Sequence, residues 1–405
     1  MKTLFYNANL TGILPEGCLR LEGAAMDNVA SIEGGWLLAE DGLIAAFGPG
    51  EPPAAGDAAA VDCGGGMLMP AFCDSHTHIV YAGSREGEFL DKINGLSYEE
   101  IAARGGGILN SADLLHRTGE EELYRQARER LDEMIAFGSG CIEIKSGYGL
   151  NPEDELKMLR VIDRLKRESP ALIRSTFLGA HAVGRGYTHE AYVDMVCGMM
   201  GEAARYADFV DVFCDEGFFT VEDTEKILNA AAEFSLRPKI HANELAISGG
   251  VQVAVRCGAL SADHLERTGE AEREALRGSG TMPVMLPGTS FFLGIPYGEG
   301  RTFIEDGLPL ALASDYNPGS SPSGDMRFVM ALACIRMKLT PARAFNAVTI
   351  NGACAMGTSD AAGSITPGKR ADLILTHPGW NLTKIAYIYR TPFIKGVFLK
   401  GEQVA

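Results

Sequence analysis

The segment Met67–His78, MLMPAFCDSHTH, joins an apolar run (Met67–Cys73) to a polar end that contains two histidines. Seven more short apolar runs follow along the chain: Cys141–Lys145, Ser175–Ala180, Phe209–Phe213, Lys239–Ala242, Leu260–Asp263, Pro283–Leu286 and Leu310–Ser314. Each of these runs is apolar enough to be a parallel strand that is buried on both faces. The pattern therefore predicts eight buried strands in one large domain.

Helix signals separate most of these runs. Thr118–Glu121 has the residue types of a capping box, Asn151-Pro152 places a cap residue before a proline at the first helical position, and Thr220–Asp223 precedes the apolar helical positions Ile227, Ala231 and Phe234. Thr340-Pro341 opens a further helix, which we expect to end at Gly357. Strands that alternate with helices over about 290 residues indicate an α/β fold of the (β/α)8 TIM-barrel type. A doubly wound open sheet is the alternative, but no G-x-G-x-x-G follows a strand candidate.

Both ends of the chain differ from this middle part. Short strand signals such as Trp36–Ala39 and Gly396–Gly401 alternate there with Gly, Asp and Pro turns. We therefore expect a small β-sandwich domain built from residues 1–66 and 363–405. The barrel is expected over residues 67–362.

Charge and composition limit the classes of partner. The chain has 36 Lys and Arg against 53 Asp and Glu, a formal net charge of −17. Nucleic-acid binding depends on neutralising phosphates with Lys and Arg, so this balance argues against a nucleic-acid partner and against an anionic membrane surface. An apolar stretch long enough to span a membrane is absent from the sequence.

Cysteine usage indicates a reducing compartment. The nine cysteines are odd in number, form no C-x-x-C motif and mostly fall in apolar runs. The N-terminus, MKTLFYNANLTG, lacks the apolar core of a signal peptide. We expect buried free thiols in a cytoplasmic protein.

Polar residues gather where the predicted strands end, which in a barrel is the catalytic face. His76 and His78 point to the same side of an extended segment, because they are two residues apart. His241 ends the fifth strand and Asp315 the eighth. Three imidazoles and one carboxylate form a donor set suited to Zn²⁺, or to Fe²⁺ or Mn²⁺. The histidines that lie away from the strand ends, and that we expect on the surface, are His116, His189 and His377.

The residues between 69 and 357 resemble the amidohydrolase superfamily of metal-dependent hydrolases and, within it, the imidazolonepropionase family. The H-x-H and Ser314-Asp315 elements occur throughout the superfamily. The segments Glu143–Leu150 (EIKSGYGL) and Thr176–Ala182 (TFLGAHA) are much more specific to the narrower family, and Gly105–Ile108 (GGGI) belongs to the same set of motifs.

The resemblance implies a site and a reaction. It implies that the ligands of one divalent metal, Zn²⁺ or else Fe, are His76, His78, His241 and Asp315. It implies substrate contacts at Arg85, Tyr148, His181, Glu244, Asn317, Gly319 and Ser320, and catalytic roles for His264, Glu244 and Asp315. The implied substrate is 4-imidazolone-5-propanoate, a small molecule whose ring amide is hydrolysed to N-formimidoyl-L-glutamate in histidine degradation. A homodimer is also implied.

The sequence departs from the family in two places. The loop after His181 reads Ala-Val-Gly-Arg-Gly-Tyr187, where the family has a proline-rich turn. The family also favours Gln where this chain has Glu244, so a proton-transferring and a ring-binding role both stay open for this carboxylate. The lysine that bridges two metals in binuclear relatives is expected near the fourth strand, which ends Phe213-Cys214-Asp215, and Lys145 ends the second strand instead. We therefore expect a single metal.

Each assignment has a structural alternative. Arg85 can bind the substrate carboxylate at two points, or can form a salt bridge with Glu86 or Glu88. The backbone N–H groups of the turn that holds Asn317 and Ser320 can receive the new carboxylate, or the turn can be purely structural. The alternative functions are another mononuclear amidohydrolase, such as a cytosine- or guanine-type deaminase, and a non-catalytic scaffold barrel.

Overall fold

The predicted strand Met67–Cys73 divides between two sheets of eight strands each. A computed structural model describes residues 1–54, 56–96 and 106–405, so Gly105 of the GGGI motif lies outside the described residues. The first sheet holds strands from both ends of the chain: β1 (Lys2–Ile13), β2 (Ala30–Glu40), β3 (Leu43–Pro49), β4 (Ala59–Asp62), β5 (Gly66–Pro70), β14 (Leu373–Pro378), β15 (Ile394–Leu399) and β16 (Glu402–Gln403).

The second sheet is the predicted barrel. Its strands are β6 (Phe72–Asp74), β7 (Ser139–Lys145), β8 (Leu172–Ala180), β9 (Phe209–Cys214), β10 (Arg237–Ala242), β11 (Ser261–His264), β12 (Met282–Met285) and β13 (Ala311–Leu312). All pair in parallel with their sequence neighbours. A parallel bridge between Thr77 and Tyr316 joins the first strand end to the last. Because the two edges meet, the barrel is confirmed and the open-sheet alternative is wrong.

Helices follow most of the barrel strands. The α-helices of the described residues are Glu86–Ile93, Ile108–Arg117, Glu120–Ala136, Pro152–Glu168, His189–Gly198, Met200–Ala203, Val221–Ala232, Gly250–Arg256, Glu270–Leu276, Pro287–Leu293, Gly300–Glu305, Met326–Arg336, Pro341–Ala347, Ile350–Ala355 and Leu382–Tyr387. Gly23–Asp27 forms a 3₁₀ turn.

The cap predictions were partly right. The side chain of Asn151 accepts the N–H of the third helical residue, as expected, and that of Thr220 does the same. The Thr118 capping box is wrong, because the Thr118 hydroxyl donates to the Leu114 carbonyl and Gly119 takes the cap position. The helix that begins at Pro341 ends at Ala347, and a second helix starts at Ile350, so the predicted continuous helix to Gly357 is also wrong.

The terminal sheet has its own core. Residues of β1, β2 and β14, together with Ile365, pack around Phe5 and Phe398, whose rings meet edge to face at 4.9 Å. Strand β5 pairs with β1 and β14, so Gly66–Pro70 contributes to this sheet rather than to the barrel. The division at residues 66 and 363 stays a prediction.

Two observations concern compartment. Within the described ranges, we find no helix that combines the length and the apolar character needed to cross a membrane. All nine cysteines are free thiols. Four are buried and five are partly exposed, so the expectation that they are buried holds only in part.

Candidate active site at the mouth of the barrel

The carboxyl ends of the barrel strands open into a cavity of about 840 Å³. Its lining contains most of the residues that the sequence singled out: His78, Arg85, Tyr148, His181, His241, Glu244, His264, Asp315, Asn317, Gly319 and Ser320. His76 is fully buried beneath it. The barrel therefore brings the predicted metal-binding, catalytic and substrate-binding residues to one place.

The four predicted metal ligands converge. The Nε2 atoms of His76 and His78 are 3.2 Å apart, and they lie 3.6 and 3.5 Å from Asp315 Oδ1. The ring of His241 is 4.4 Å from that of His76, and its buried Nε2 has no hydrogen-bond partner among the described residues. Burial lowers the pKa of all three imidazoles, that of His241 to about 3, which keeps their lone pairs available. His76, His78 and Asp315 place ligand atoms within 4.8 Å of one another, as do His76, His241 and His264, so these groups could hold a metal ion.

Carboxylates lie close to the Nδ1 atoms of two of these imidazoles. His76 Nδ1 lies 2.7 Å from Asp263 Oδ2, and His241 Nδ1 lies 3.0 Å from Asp211 Oδ2. Lys145 lies between two buried carboxylates: its Nζ is 2.5 Å from Glu143 Oε1 and 2.8 Å from Asp211 Oδ2. Burial alone would lower the pKa of Lys145, but the nearby carboxylates raise it well above its ordinary value. Lys145 is therefore an ammonium group in an ion cluster.

His264 lies between the buried Glu266 and the partly exposed Glu244. Its Nδ1 is 3.6 Å from Glu244 Oε2 and 3.5 Å from Glu266 Oε2. Burial alone would lower the pKa of His264, but Glu244 and Glu266 together raise it to about 10. Burial raises the pKa of Glu244 in turn, while His264 opposes this rise. At these distances the groups interact electrostatically, and His264 Nδ1 makes no hydrogen bond to either carboxylate.

Arg85 lies at the rim of the cavity beside a second cation. Its Nε and Nη2 are 2.9 and 2.5 Å from Glu88 Oε2, so the predicted alternative, a salt bridge with Glu88, is present. Lys92 lines the same cavity and its Nζ donates to the Gly319 carbonyl at 3.1 Å. Gly319 packs against Arg85, because a Cβ there would come within 2.3 Å of Arg85 Nη1.

The side chain of Asn317 closes the turn that follows Asp315. Asn317 Oδ1 accepts the N–H groups of Gly319 and Ser320, each at 2.8 Å. These N–H groups are therefore not free for a substrate carboxylate, which corrects the first of the two interpretations of this turn. Thr289 Oγ1 donates to Asp315 Oδ2 at 2.5 Å and orients that carboxylate from another element.

Tyr148 and His181 share one wall of the cavity. The His181 ring stacks on His78 with centroids 5.2 Å apart, and His181 Nδ1 lies 3.0 Å from the Gly147 carbonyl. The loop that carries Tyr148 is held by Glu155, whose carboxylate accepts the N–H groups of Gly147, Gly149 and Leu150 at 2.7–3.1 Å.

The backbone is strained at three strand ends. Asn243, His264 and Asp315 adopt positive φ angles of 59°, 87° and 53°. Such conformations cost about 1–3 kcal/mol each and are found mainly where the surrounding structure compels them, as at active sites.

Several residues of the site were missed from the sequence. Lys92, Glu155, Asp211, Asp215, Asp263 and Glu266 all contact the elements described here or line the cavity. Asp215 accepts the N–H groups of Glu244 and Leu245 at 2.7 and 2.9 Å. One signal was available, because charged residues at alternate positions of otherwise apolar strands, such as Glu143 and Lys145, indicate a polar network inside the barrel.

Comparison with known proteins gives consistent results. Residues 299–404 match the Amidohydrolase family. The chain is 52% identical over 390 residues to an imidazolonepropionase of Flavobacterium johnsoniae, with 95% of each protein covered. It is 47% identical over 402 residues to one of Christiangramia forsetii, with 98% of each covered.

Solved structures show the same fold at much lower identity. A guanine deaminase of C. acetobutylicum superimposes with a TM-score of 0.75 at 15% identity, covering 100% of both chains. A 5-methylcytosine deaminase of Klebsiella pneumoniae superimposes with a TM-score of 0.76 at 16% identity, covering 100% of this chain and 98% of the other.

Proposed function

The chain belongs to the imidazolonepropionase family of amidohydrolases, and from this premise we propose how it acts on 4-imidazolone-5-propanoate. The reaction is hydrolysis of the ring amide to N-formimidoyl-L-glutamate, a step of histidine degradation. One observation carries the proposal: the buried group of His76, His78 and Asp315, with the His241 ring beside His76, lies at a cavity that has two rim cations, Arg85 and Lys92. That combination suits a ring amide with an anionic tail.

One divalent metal is proposed, with His76, His78, His241 and Asp315 as its ligands. It would supply a Lewis acid and make water nucleophilic near neutral pH. Zn²⁺ is favoured by a borderline-soft site of imidazoles and one carboxylate, and Fe is the alternative. The contacts of Lys145 support a single metal, because an ammonium group between two carboxylates has no lone pair with which to form a bridging carbamate.

The substrate tail would lie at the rim. Arg85 and Lys92 carry two positive charges there and Glu88 carries one negative charge, so these three side chains have a net charge of +1. The propanoate carboxylate would supply it through charge-assisted hydrogen bonds. Tyr148 and His181 would position the ring, and Asn317, Gly319 and Ser320 would shape the wall beside Asp315.

The chemical step adds water to the ring carbonyl carbon and breaks the bond from this carbon to the ring nitrogen. Asp315 would accept a proton from the water, and His264 would orient the water and stabilise the oxygen that becomes negative. Glu244 would hydrogen-bond the ring nitrogen or deliver the proton that this nitrogen gains on leaving. The raised pKa of Glu244 supports the second role, because such a carboxyl group can hold a proton near neutral pH.

We further propose a cytoplasmic homodimer with no nucleic-acid or membrane partner. The net charge of −17 and the free thiols support the absence of these partners and the compartment. Only the family resemblance supports the homodimer, which light scattering of the purified protein would test.

The decisive experiment is turnover of freshly prepared 4-imidazolone-5-propanoate, followed by its ultraviolet absorbance, beside guanine and cytosine. We expect hydrolysis of the imidazolone alone, because neither base has an anionic tail for Arg85 and Lys92. Metal-loaded protein that deaminates a base and leaves the imidazolone intact would refute the proposal in favour of the deaminase alternative.

A further inference from the structure

Five charged residues form an ion cluster inside the barrel, beneath the predicted metal ligands. Its members, Glu143, Lys145, Asp211, Lys239 and Asp263, all have fully buried side chains and come from four strands of the barrel, β7, β9, β10 and β11. Because burying a charge costs several kcal/mol unless it is well paired, such a cluster needs a reason.

The two lysines connect the three carboxylates. Lys145 contacts Glu143 and Asp211 directly, at 2.5 and 2.8 Å, and lies 3.8 Å from Asp263 Oδ2. Lys239 pairs with Glu143, donates to the Ser75 carbonyl at 2.9 Å, and also lies 3.8 Å from Asp263 Oδ2. Glu143 accepts a further hydrogen bond from Thr176 at 2.6 Å. The carboxylates are thus held from several strands at once.

Two of these carboxylates also reach predicted metal ligands. Asp263 Oδ2 lies 2.7 Å from His76 Nδ1. Asp211 Oδ2 lies 3.0 Å from His241 Nδ1, and its Oδ1 accepts the His241 backbone N–H at 3.1 Å. The Asp263–His76 contact is a hydrogen bond, whereas the Nδ1 atoms of His241 and His78 have none among the described residues, so Asp211 approaches His241 Nδ1 to 3.0 Å without hydrogen-bond geometry.

We propose that Asp263 and Asp211 are positioning residues that hold His76 and His241 with the proton on Nδ1, and that Lys145 holds both carboxylates in place. An imidazole that donates from Nδ1 to a carboxylate keeps its Nε2 lone pair for a metal and becomes a stronger ligand. The inference rests on the proposed ligand set. It implies that the ion cluster holds two of the four ligands in their metal-binding orientation before the metal binds.

The first test needs no variant. Nitrogen–proton correlation spectra of metal-free protein with ¹⁵N-labelled histidine would report the tautomer of each of the eight histidines, assigned with His→Gln variants. We expect His76 and His241 to carry the proton on Nδ1, in strong hydrogen bonds, and His78 to lack such a bond. Protons on Nε2 of His76 and His241 would overturn the proposal.

The second test measures Zn²⁺ affinity by competition with a chelator. Asp263→Asn and Asp211→Asn should each weaken binding by roughly 10- to 100-fold, the usual effect of removing such a partner. Lys145→Met should weaken binding by at least tenfold and disturb both imidazole signals. An unchanged affinity and unchanged tautomers in Lys145→Met would overturn the role assigned to that lysine.

The matched control is Lys369→Met. Lys369 is also buried, but it donates to the Ala362 carbonyl and the Ser364 hydroxyl, which belong to the link between barrel and terminal sheet. We expect this variant to lose stability and keep the wild-type Zn²⁺ affinity. If it loses as much Zn²⁺ affinity as Lys145→Met, the removal of any buried lysine has this effect and the proposal is refuted. Wild-type protein with the expected tautomers but no metal would contradict the proposed ligand set instead, so the two failures are distinguishable.

Discussion

His264 has two carboxylate neighbours and no predicted place among the metal ligands. Changing it to Ala should leave metal content near that of the wild type, because His76, His78, His241 and Asp315 remain. It should lower kcat by roughly 10²- to 10⁴-fold, the usual effect of losing a positioned proton-transfer group. Steady-state kinetics with elemental analysis would check both parts. His116→Ala, which changes a largely exposed histidine, is the control, and wild-type turnover in His264→Ala would mean that His264 is only structural.

In the proposed function, Arg85 and Lys92 provide the positive charge that binds the substrate tail. A charge-assisted contact is worth about 1.5–3 kcal/mol, so Arg85→Ala and Lys92→Met should each lower kcat/KM by roughly ten- to a hundredfold. Arg85→Lys should recover only part of this loss, because an ammonium group lacks the two-point geometry. Lys226→Met, at an exposed ion pair with Asp194, is the control.

A substrate analogue without the carboxylate distinguishes two explanations for these losses. If the cations bind the tail, wild-type and variant enzymes should hydrolyse the analogue equally poorly. A variant that loses activity towards substrate and analogue by the same factor would show that the side chain supports the loop instead.

Gly319 is required by the close approach of Arg85. In Gly319→Ala the new methyl group would meet the guanidinium, which Glu88 holds from the other side. We expect kcat/KM to fall about tenfold, roughly 1.4 kcal/mol. The double variant with Arg85→Ala should be no worse than Arg85→Ala alone, because the clash disappears with the arginine. Additive losses in this double-mutant cycle would contradict the explanation.

At the scale of elements, two loops at the mouth of the barrel are each held by a buried acid. Glu155, in the first turn of helix Pro152–Glu168, accepts three backbone N–H groups of the loop that carries Tyr148. Asp215 does the same for the residues that follow Asn243. Loops that reach substrate are thereby tied to the rigid strand and helix ends.

Glu155→Gln should loosen the loop around Tyr148. The amide NH₂ would face backbone donors, so at least one buried N–H loses its acceptor, at a cost of about 1–3 kcal/mol. We expect a lower free energy of unfolding and a lower kcat/KM. Glu153→Gln, an exposed position in the same helical turn, should change neither. Unchanged stability and kinetics in Glu155→Gln would show that the loop does not depend on this carboxylate.

At the scale of the whole molecule, metal binding should couple the strands of the barrel. The four predicted ligands lie within or just after β6, β10 and β13, which are distant in sequence, so a bound ion would stabilise the native state relative to the unfolded chain. We expect close to one metal per chain, loss of activity on chelation, and a lower Tm for the metal-free protein. Two tightly bound metals per chain, or full activity without metal, would contradict this.

Much of the fold was predictable because its signals are local. Eight apolar runs and the helix caps between them predict alternating strands and helices, and handedness and parallel pairing then bring the strand ends to one face. The positions of His76, His78, His241 and Asp315 at those ends follow from the same argument. At Thr118 one local interaction replaced another, because its hydroxyl donates to the carbonyl of Leu114, four residues earlier in the preceding helix, instead of capping the next helix.

What the sequence determined by itself was the class of fold and the residues that end its strands, because periodicity and turn chemistry act within a few residues. The tertiary structure alone decided which side chains become partners. It divided Met67–Cys73 between two sheets, brought Lys92 to Gly319 and joined Lys145 to acids of other strands. These outcomes depend on strand register and barrel closure, which bring together residues that are up to hundreds of positions apart and that no local pattern relates.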